Sequence, residues 1–181
     1  MSRTRRKSPP LDEKRLEDLA LAYAARFATT RARLESYLRR KLRERGWDGA
    51  REPDVAALGA RFGAAGYIDD AAYARMKADS LLRRGYGRRR VGEALQAAGI
   101  AGDLRAQVNP GAAAERQAAL ALARRRRLGP FGAAPLDRPA RDRQVAAMLR
   151  AGHSLDNARQ IVDAPDADAA LAWAESAEGE D

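Results

Sequence analysis

The sequence contains no cysteine and a single histidine, His153. Without cysteine the chain can form neither a disulfide nor a thiolate nucleophile. A zinc site of the Cys/His kind is excluded, because it needs several of these residues. A Ser-His-acid triad could use only His153, which we interpret as a partly buried structural residue, and no Gly-x4-Gly-Lys-Ser/Thr phosphate loop is present. We therefore expect a protein that is not an enzyme and that binds no metal or cofactor.

Long apolar segments and strand-forming residues are also scarce. No apolar run approaches the ~20 residues of a membrane-spanning helix, and the opening "MSRTRRKSPP" lacks the apolar core of a secretory signal. We therefore expect no membrane contact and a cytoplasmic location. Valine, isoleucine and threonine together number eleven, whereas alanine, leucine, arginine and glutamate dominate. This composition predicts an all-α protein.

The charge of the chain is strongly asymmetric. There are 34 Lys+Arg residues against 25 Asp+Glu residues, a net charge of +9. Seven acids and no base lie from Asp163 to Asp181, so the preceding residues carry +16. We interpret residues 1–10 as a disordered basic arm and residues 166–181 as an acidic C-terminal tail. The basic body favours an acidic partner, most often nucleic acid.

Apolar residues at helical spacing predict three modules of about three helices each, over residues 11–66, 67–110 and 111–165. The first helix is expected to start near Asp12, and Glu52-Pro53-Asp54 is expected to open the third, since proline suits the first helical position. Capping residues mark the other expected starts, at Thr30, Asp69-Asp70 and Ser154. The second module ends in a short helix around residues 104–108. The third is expected to contain helices over residues 112–128 and 141–149, with the last one beginning after Ser154.

Three glycines recur at a fixed interval. Gly46, Gly99 and Gly152 lie 53 residues apart, and each is followed by a large or ring-bearing residue, Trp47, Ile100 or His153. Glycine ends a helix where the backbone turns left-handed. A repeat of this length is typical of stacked helical units.

Basic residues cluster near predicted helix ends in every module. The candidate binding residues are Arg39, Arg40, Lys41, Arg83, Arg84, Arg88, Arg89, Arg90, Arg124, Arg125, Arg126 and Arg127. Each cluster is either a solvated helix face or a surface for phosphates or carboxylates, to which arginine binds well. Arg88–Arg90 begin a helix, where its dipole disfavours cations, so we expect them to serve a partner.

Three aromatic residues leave two interpretations open. Trp47, Tyr67 and Tyr86 could stack on bases. Each follows a helix-ending glycine, however, so packing on the turn is the interpretation we favour.

Two segments, "GYIDDAAYAR" and "RRGYGRRRVGEALQAAGI", closely resemble the RecX regulators of the bacterial recombinase RecA. The resemblance extends from about Tyr23 to Val162, although His153 stands where an aromatic such as tyrosine is expected. The residues that carry the motif are Gly66, Tyr67, Ile68, Asp69, Asp70, Tyr73, Ala74, Arg84, Gly85, Tyr86, Gly87, Val91, Leu95, Gly99 and Ile100.

This resemblance implies tandem three-helix repeats that form an elongated, curved array. It also implies a non-catalytic regulator that binds the RecA–DNA filament and limits its ATPase and strand exchange. We expect a monomer that also binds single- or double-stranded DNA without sequence preference. The alternative is a DNA-binding protein of the helix-turn-helix type, because three-helix units with a basic helix occur there too.

Overall fold

The computed structural model describes residues 9–132 and 136–177, and regular structure there is helical apart from one isolated bridge between Leu11 and Trp47. This confirms the all-α prediction. The helices are α1 (Glu13–Arg26), α2 (Arg31–Arg45), α3 (Val55–Ala64), α4 (Asp70–Arg83), α5 (Arg88–Ala97), α6 (Gly102–Gln107), α7 (Ala112–Arg126), α8 (Arg138–Arg150), α9 (Leu155–Val162) and α10 (Ala167–Glu175), with a 3-10 turn at Gly129–Phe131. In the described part of the chain, no helix is long and apolar enough to cross a membrane.

The capping residues predicted at Thr30 and Ser154 begin their helices. Asp12 and Asp54 are caps as well, so the third helix starts after Asp54 and Pro53 lies outside it. Side chains of Asp12, Thr30, Asp54 and Ser154 each accept a hydrogen bond from the backbone N–H three residues later. These bonds satisfy amides that lack a partner inside the helix. The three repeating glycines, Gly46, Gly99 and Gly152, all have positive φ, as predicted from their position after a helix.

Two compact units make up the chain. The first contains the described residues up to Tyr73 together with Ala98–Ile100. Its core consists of Leu11, Leu16, Ala20, Leu34, Leu38, Val55, Phe62 and Ile68. Leu11 is fully buried, and its amide donates to the carbonyl of Gly46 at 3.0 Å. The preceding basic arm, residues 1–10, lies outside the described residues apart from Pro9 and Pro10.

The second unit contains Ala74–Ala97 and the described residues from Ala101 onward. Its core consists of Ala119, Leu120, Leu122, Ala123, Leu128, Val145, Met148, Ala151, Ala158, Ile161, Val162, Ala170 and Ala174. Helices α8 and α10 pack with α7 and α9 around this core. The sequence suggested three modules, whereas the chain divides into these two units. The three-module division stays a prediction.

The sequence suggested an acidic tail over residues 166–181, but helix α10 (Ala167–Glu175) occupies part of this segment. Asp166 caps this helix, and Ala170 and Ala174 are fully buried against the second core. The apolar periodicity of this helix is weak, because its buried residues are alanines and acidic residues lie nearby. Residues 178–181, the remainder of that tail, lie outside the described residues.

Three helices also have boundaries that differ from prediction. Helix α7 ends at Arg126, because Arg127 adopts a left-handed conformation with φ 54°. Helix α8 begins at Arg138 rather than Arg141, since Asp137 caps it and Pro139 is tolerated in a first turn. Helix α6 begins at Gly102 and ends at Gln107.

Candidate functional site

The Asp-Asp pair at the start of α4 caps two different helices. Asp69 Oδ1 accepts from the amide of Ala72 at 2.8 Å, which is the helix cap expected from the sequence. Asp70 Oδ1 accepts from the amide of Arg31 at 2.9 Å, in the first turn of α2. The carboxylate of Asp70 therefore satisfies a free amide at the positive end of a helix 39 residues away. The sequence did not predict this partner.

Tyr73, one turn further along α4, also contacts α2. Its hydroxyl accepts a 2.6 Å hydrogen bond from the guanidinium of Arg33, whose central carbon lies 5.4 Å from the centre of the tyrosine ring. Tyr73 is buried, so its aromatic face fills the core while its hydroxyl is satisfied by a charged donor. The start of α4 thus fixes the start of α2 within the first unit.

The Gly85-Tyr86-Gly87 segment lets two backbone segments approach closely in the second unit. The amide of Gly87 donates to the carbonyl of Ala151 at 3.0 Å, and the amide of Arg89 donates to Gly152 at 3.2 Å. A Cβ atom on Gly87 would lie 2.4 Å from the carbonyl oxygen of Gly152. Any side chain at Gly87 would therefore separate the start of α5 from the turn after α8.

His153 is buried in the same region, as the sequence interpretation expected. Its Nε2 lies 3.0 Å from the carbonyl oxygen of Gly85, so this nitrogen carries the proton and donates. Burial lowers the pKa of His153 below its usual value, and the bond to Gly85 opposes this shift. The neutral ring therefore acts as a structural link between α8–α9 and the turn before α5.

The three arginines that begin α5 have partners within the protein. Arg88 lies 3.5 Å from Glu115, and Arg89 and Arg90 lie 2.9 and 3.0 Å from Glu93. Arg89 also donates to the carbonyl of Leu149 at 2.7 Å, near the negative end of α8. Arg89 therefore also contributes to the fold, and the expectation that Arg88–Arg90 serve a partner stays a prediction. All three side chains still expose more than half of their surface.

The basic groups between α4 and α5 line a common groove. Lys77, Arg84 and Arg90 border a volume of about 450 Å³, together with Leu81, Tyr86, Glu93, Ala94 and Ala97. Arg84 lies over the ring of Tyr86 at 5.8 Å and donates to the carbonyl of Ser80. The groove therefore combines apolar lining residues with three cations and one carboxylate.

Arg124–Arg127 form the basic cluster that is most accessible to a binding partner. All four side chains are exposed at the end of α7, where the helix dipole favours cations. Arg124 lies over the ring of Phe131 at 5.9 Å. Among the residues that the structure describes, Arg125, Arg126 and Arg127 form no ion pair. Their guanidinium groups are therefore free to bind phosphates or carboxylates with two hydrogen bonds each.

The basic cluster on α2 is partly neutralised. Arg39 lies 2.8 Å from Glu35, and Lys41 lies 2.6 Å from Glu44, which is also 3.9 Å from Arg40. The hydrogen bond from Lys41 lowers the pKa of the Glu44 carboxyl group. This cluster belongs to the first unit, whereas Arg83 and the other clusters belong to the second.

The aromatic residues predicted from the glycine turns have different surroundings. The indole Nε1 of Trp47 donates to the carbonyl of Arg51, and Tyr86 packs against the second core. Tyr67 is tilted against Phe62 at 5.2 Å but stays exposed. Packing is thus the better interpretation of Trp47 and Tyr86.

Comparison with known proteins places this architecture in a family. A regulatory protein RecX from Myxococcus xanthus is 35% identical over 157 residues, which cover 82% of this chain and 84% of the relative. The chain belongs to the RecX family. A regulatory protein RecX from Thermus thermophilus is 41% identical over 108 residues, covering 60% of this chain and 71% of the relative.

The RecX second three-helix domain matches residues 69–108, which span α4 to α6. This segment contains Asp69, Asp70, the Gly85-Tyr86-Gly87 turn and the Arg88–Arg90 cluster. The crystal structure of RecX from Lactobacillus salivarius resembles this fold with a TM-score of 0.67 at 18% identity, covering 83% of this chain and 94% of that chain. The resemblance to the RecX family and the helical-repeat fold, both expected from the sequence, are confirmed.

Proposed function

We propose that this protein binds a RecA filament on DNA and limits its ATPase and strand exchange, without catalysing a reaction itself. Its membership of the RecX family supports the regulatory part, since the curated relatives are named regulatory proteins. In the described residues, no group of three or more His, Asp or Glu residues is arranged to hold a metal ion. We keep the monomeric state and the preference-free binding of DNA as parts of this proposal.

The observation that carries the proposal is the exposed cluster at Arg124–Arg127. A filament of protein on DNA presents phosphates together with acidic side chains. Guanidinium groups form planar, bidentate hydrogen bonds with both phosphates and carboxylates. Because Arg125–Arg127 form no ion pair among the described residues, binding a filament would not require them to leave an existing carboxylate partner.

The groove between α4 and α5 supplies a second contact region. Its apolar lining residues suit a protein segment better than a DNA backbone, because the alternating phosphates and sugars offer little apolar surface to bury. Lys77, Arg84 and Arg90 at its border then suit the carboxylates of that segment. We infer that this groove contacts the recombinase and that Arg124–Arg127 contact phosphate or carboxylate.

The DNA-dependent ATPase of RecA, measured at fixed salt with and without this protein, tests the proposal. Wild-type protein is expected to lower the ATPase rate. The double variant R125E/R126E is expected to lose most of this inhibition while its melting temperature stays within a few degrees. A charge-matched control, R143E/R150E, changes two exposed arginines of α8 by the same amount and should retain inhibition.

Two results would count against this reading. Equal loss of inhibition in both double variants would mean that net charge matters and that the α7 cluster is not a specific contact. Binding of wild-type protein to DNA without any effect on RecA would instead favour the helix-turn-helix alternative, a DNA-binding protein without sequence preference.

A further inference from the structure

Three aromatic rings form a continuous row on the first unit. Tyr23 of α1 and Tyr37 of α2 are stacked, with ring centres 4.3 Å apart and planes inclined by 16°. Phe27, which caps the end of α1, continues the row at 5.3 Å from Tyr23. Phe27 is 49% exposed, so this row reaches solvent rather than ending in the core. We call these three residues the aromatic row.

Cations lie at both ends of the aromatic row. The guanidinium carbon of Arg26 is 5.5 Å from the centre of the Phe27 ring. At the other end, Arg40 and Lys41 lie 5.6 and 5.9 Å from the centre of the Tyr37 ring. These distances are within the range of cation–π attraction. The row therefore places aromatic rings, of which Phe27 is exposed, next to groups that bind phosphate.

The charge of α2 reinforces this arrangement. The helix carries seven bases and two acids over Arg31–Arg45. Glu44 holds Lys41 at 2.6 Å and Arg40 at 3.9 Å, which keeps both cations beside the Tyr37 ring. A phosphate would have to compete with the Glu44 carboxylate for these two cations.

We propose that the aromatic row is a stacking surface for the unpaired bases of single-stranded DNA, with Arg26, Arg40 and Lys41 contacting its phosphates. Proteins that hold single strands combine basic surfaces with aromatic side chains on which successive bases stack. Duplex DNA does not offer this contact, because its bases are already stacked inside the helix. The inference rests on the proposed function in one respect, since it names the DNA element that a regulator of a recombinase filament would hold.

Binding of fluorescently labelled oligothymidine of about 15 nucleotides, without any recombinase, tests the aromatic row directly. Phe27→Ala should weaken binding roughly tenfold at constant salt, as expected for losing one base-stacking ring. Phe27→Trp should retain binding, since it keeps a larger π-face. An abasic phosphate chain of equal length should bind wild type more weakly and should not distinguish Phe27→Ala from wild type. A duplex of equal length should likewise not distinguish the two.

The matched control is Tyr67→Ala. Tyr67 is also an exposed aromatic of the first unit, at 58% exposure, but no cation lies over its ring among the described residues. Tyr67→Ala should leave binding of oligothymidine within twofold of wild type. Circular dichroism confirms that each variant is folded.

Unchanged binding by Phe27→Ala, or equal binding of oligothymidine and the abasic chain by wild type, would overturn the stacking surface. Competition for the row by an acidic peptide but not by oligothymidine would overturn it in favour of a protein ligand. The RecA ATPase separates the two proposals. The protein could pass these binding tests and yet have no effect on RecA. That result would support the stacking surface and contradict the proposed function.

Discussion

Arg89 and Leu149 are joined by a 2.7 Å hydrogen bond from the guanidinium to the backbone carbonyl, across 60 residues of sequence. The carbonyl of Leu149 belongs to the last turn of α8, where it also accepts a hydrogen bond from the amide of Gly152 at 3.0 Å. The arginine at the start of α5 therefore stabilises the end of another helix. This explains why a cation is favourable at a position that the dipole of α5 disfavours.

Arg89→Ala should lower stability by about 1 kcal/mol, because the Leu149 carbonyl loses a charged donor. For a chain of this size that corresponds to a fall in melting temperature of ~2–4 °C. Arg90→Ala is the control, since Arg90 has similar exposure and shares Glu93 but is not bonded to Leu149. Thermal melts that give both variants the same midpoint would show that the Leu149 bond contributes nothing measurable.

Gly99→Ala should destabilise the protein by at least ~1 kcal/mol. The backbone at Gly99 has φ +74°, and an added Cβ would lie 2.2 Å from the Cβ of Ala32. Gly92→Ala is the control, because Gly92 lies inside α5 and its added Cβ meets open space. That substitution should be neutral or stabilising by up to ~1 kcal/mol. Urea unfolding measures both, and equal effects would exclude a special requirement at Gly99.

Asp70→Ala should cost about 1 kcal/mol, the usual effect of removing a capping carboxylate. The amide of Arg31 would lose its acceptor at the start of α2. Asp79→Ala, on an exposed position of the same helix, is expected to change stability by less than ~0.5 kcal/mol. Chemical denaturation compares the two substitutions. A smaller loss for Asp70→Ala than for Asp79→Ala would contradict the capping role.

His153 should make stability depend on pH below its usual pKa of about 6.5. Burial lowers its pKa in the folded protein, so on acidification the unfolded chain binds the proton first. Stability should therefore fall as the pH drops below ~6.5 and continue to fall until the folded-state pKa is passed. His153 is the only histidine, so its ring signal can be followed by NMR without overlap.

The matched variant for this pH effect is His153→Gln, whose side-chain amide can donate to Gly85 but does not titrate. The advantage of wild type over His153→Gln should be larger at about pH 8 than at about pH 5.5. An advantage that is independent of pH, or an NMR titration midpoint above ~6.5, would contradict a buried neutral ring.

Truncation after Pro165 should destabilise the second unit, because Ala170 and Ala174 of α10 are fully buried in its core. Truncation after Ala177 removes three of the acidic residues but leaves α10 intact and should preserve the melting temperature. Comparing both truncations by urea unfolding separates the packed helix from the last four residues. Equal stability of the two would mean that α10 contributes little to the fold.

Local rules made several features predictable from the sequence. Thr30 and Ser154 cap helices because each hydroxyl accepts from the amide three residues later, which lies within its reach. Gly46, Gly99 and Gly152 have positive φ because glycine alone adopts this conformation without a Cβ penalty. Both rules involve neighbouring residues, so they operate before any tertiary contact forms.

Other features depended on partners that the sequence does not place. Asp70, 39 residues away, supplies the acceptor for the Arg31 amide at the start of α2, and the tyrosine stack joins Tyr23 to Tyr37 across two helices. Helix α10 was missed because alanine gives a weak periodic signal, although Ala170 and Ala174 are fully buried in the second core.

The sequence by itself determined most of the helices, the glycine turns that end several of them, the basic character and the family of this protein, because these follow from neighbouring residues and from motif spacing. The tertiary structure alone decided which arginines are paired, such as Arg89 with Leu149, and which are exposed without a partner among the described residues, such as Arg125. It also brought Tyr23, Phe27 and Tyr37 into one row. The reason is physical: ion pairing and ring stacking act over a few ångströms in space, and the path of the chain sets which side chains come that close.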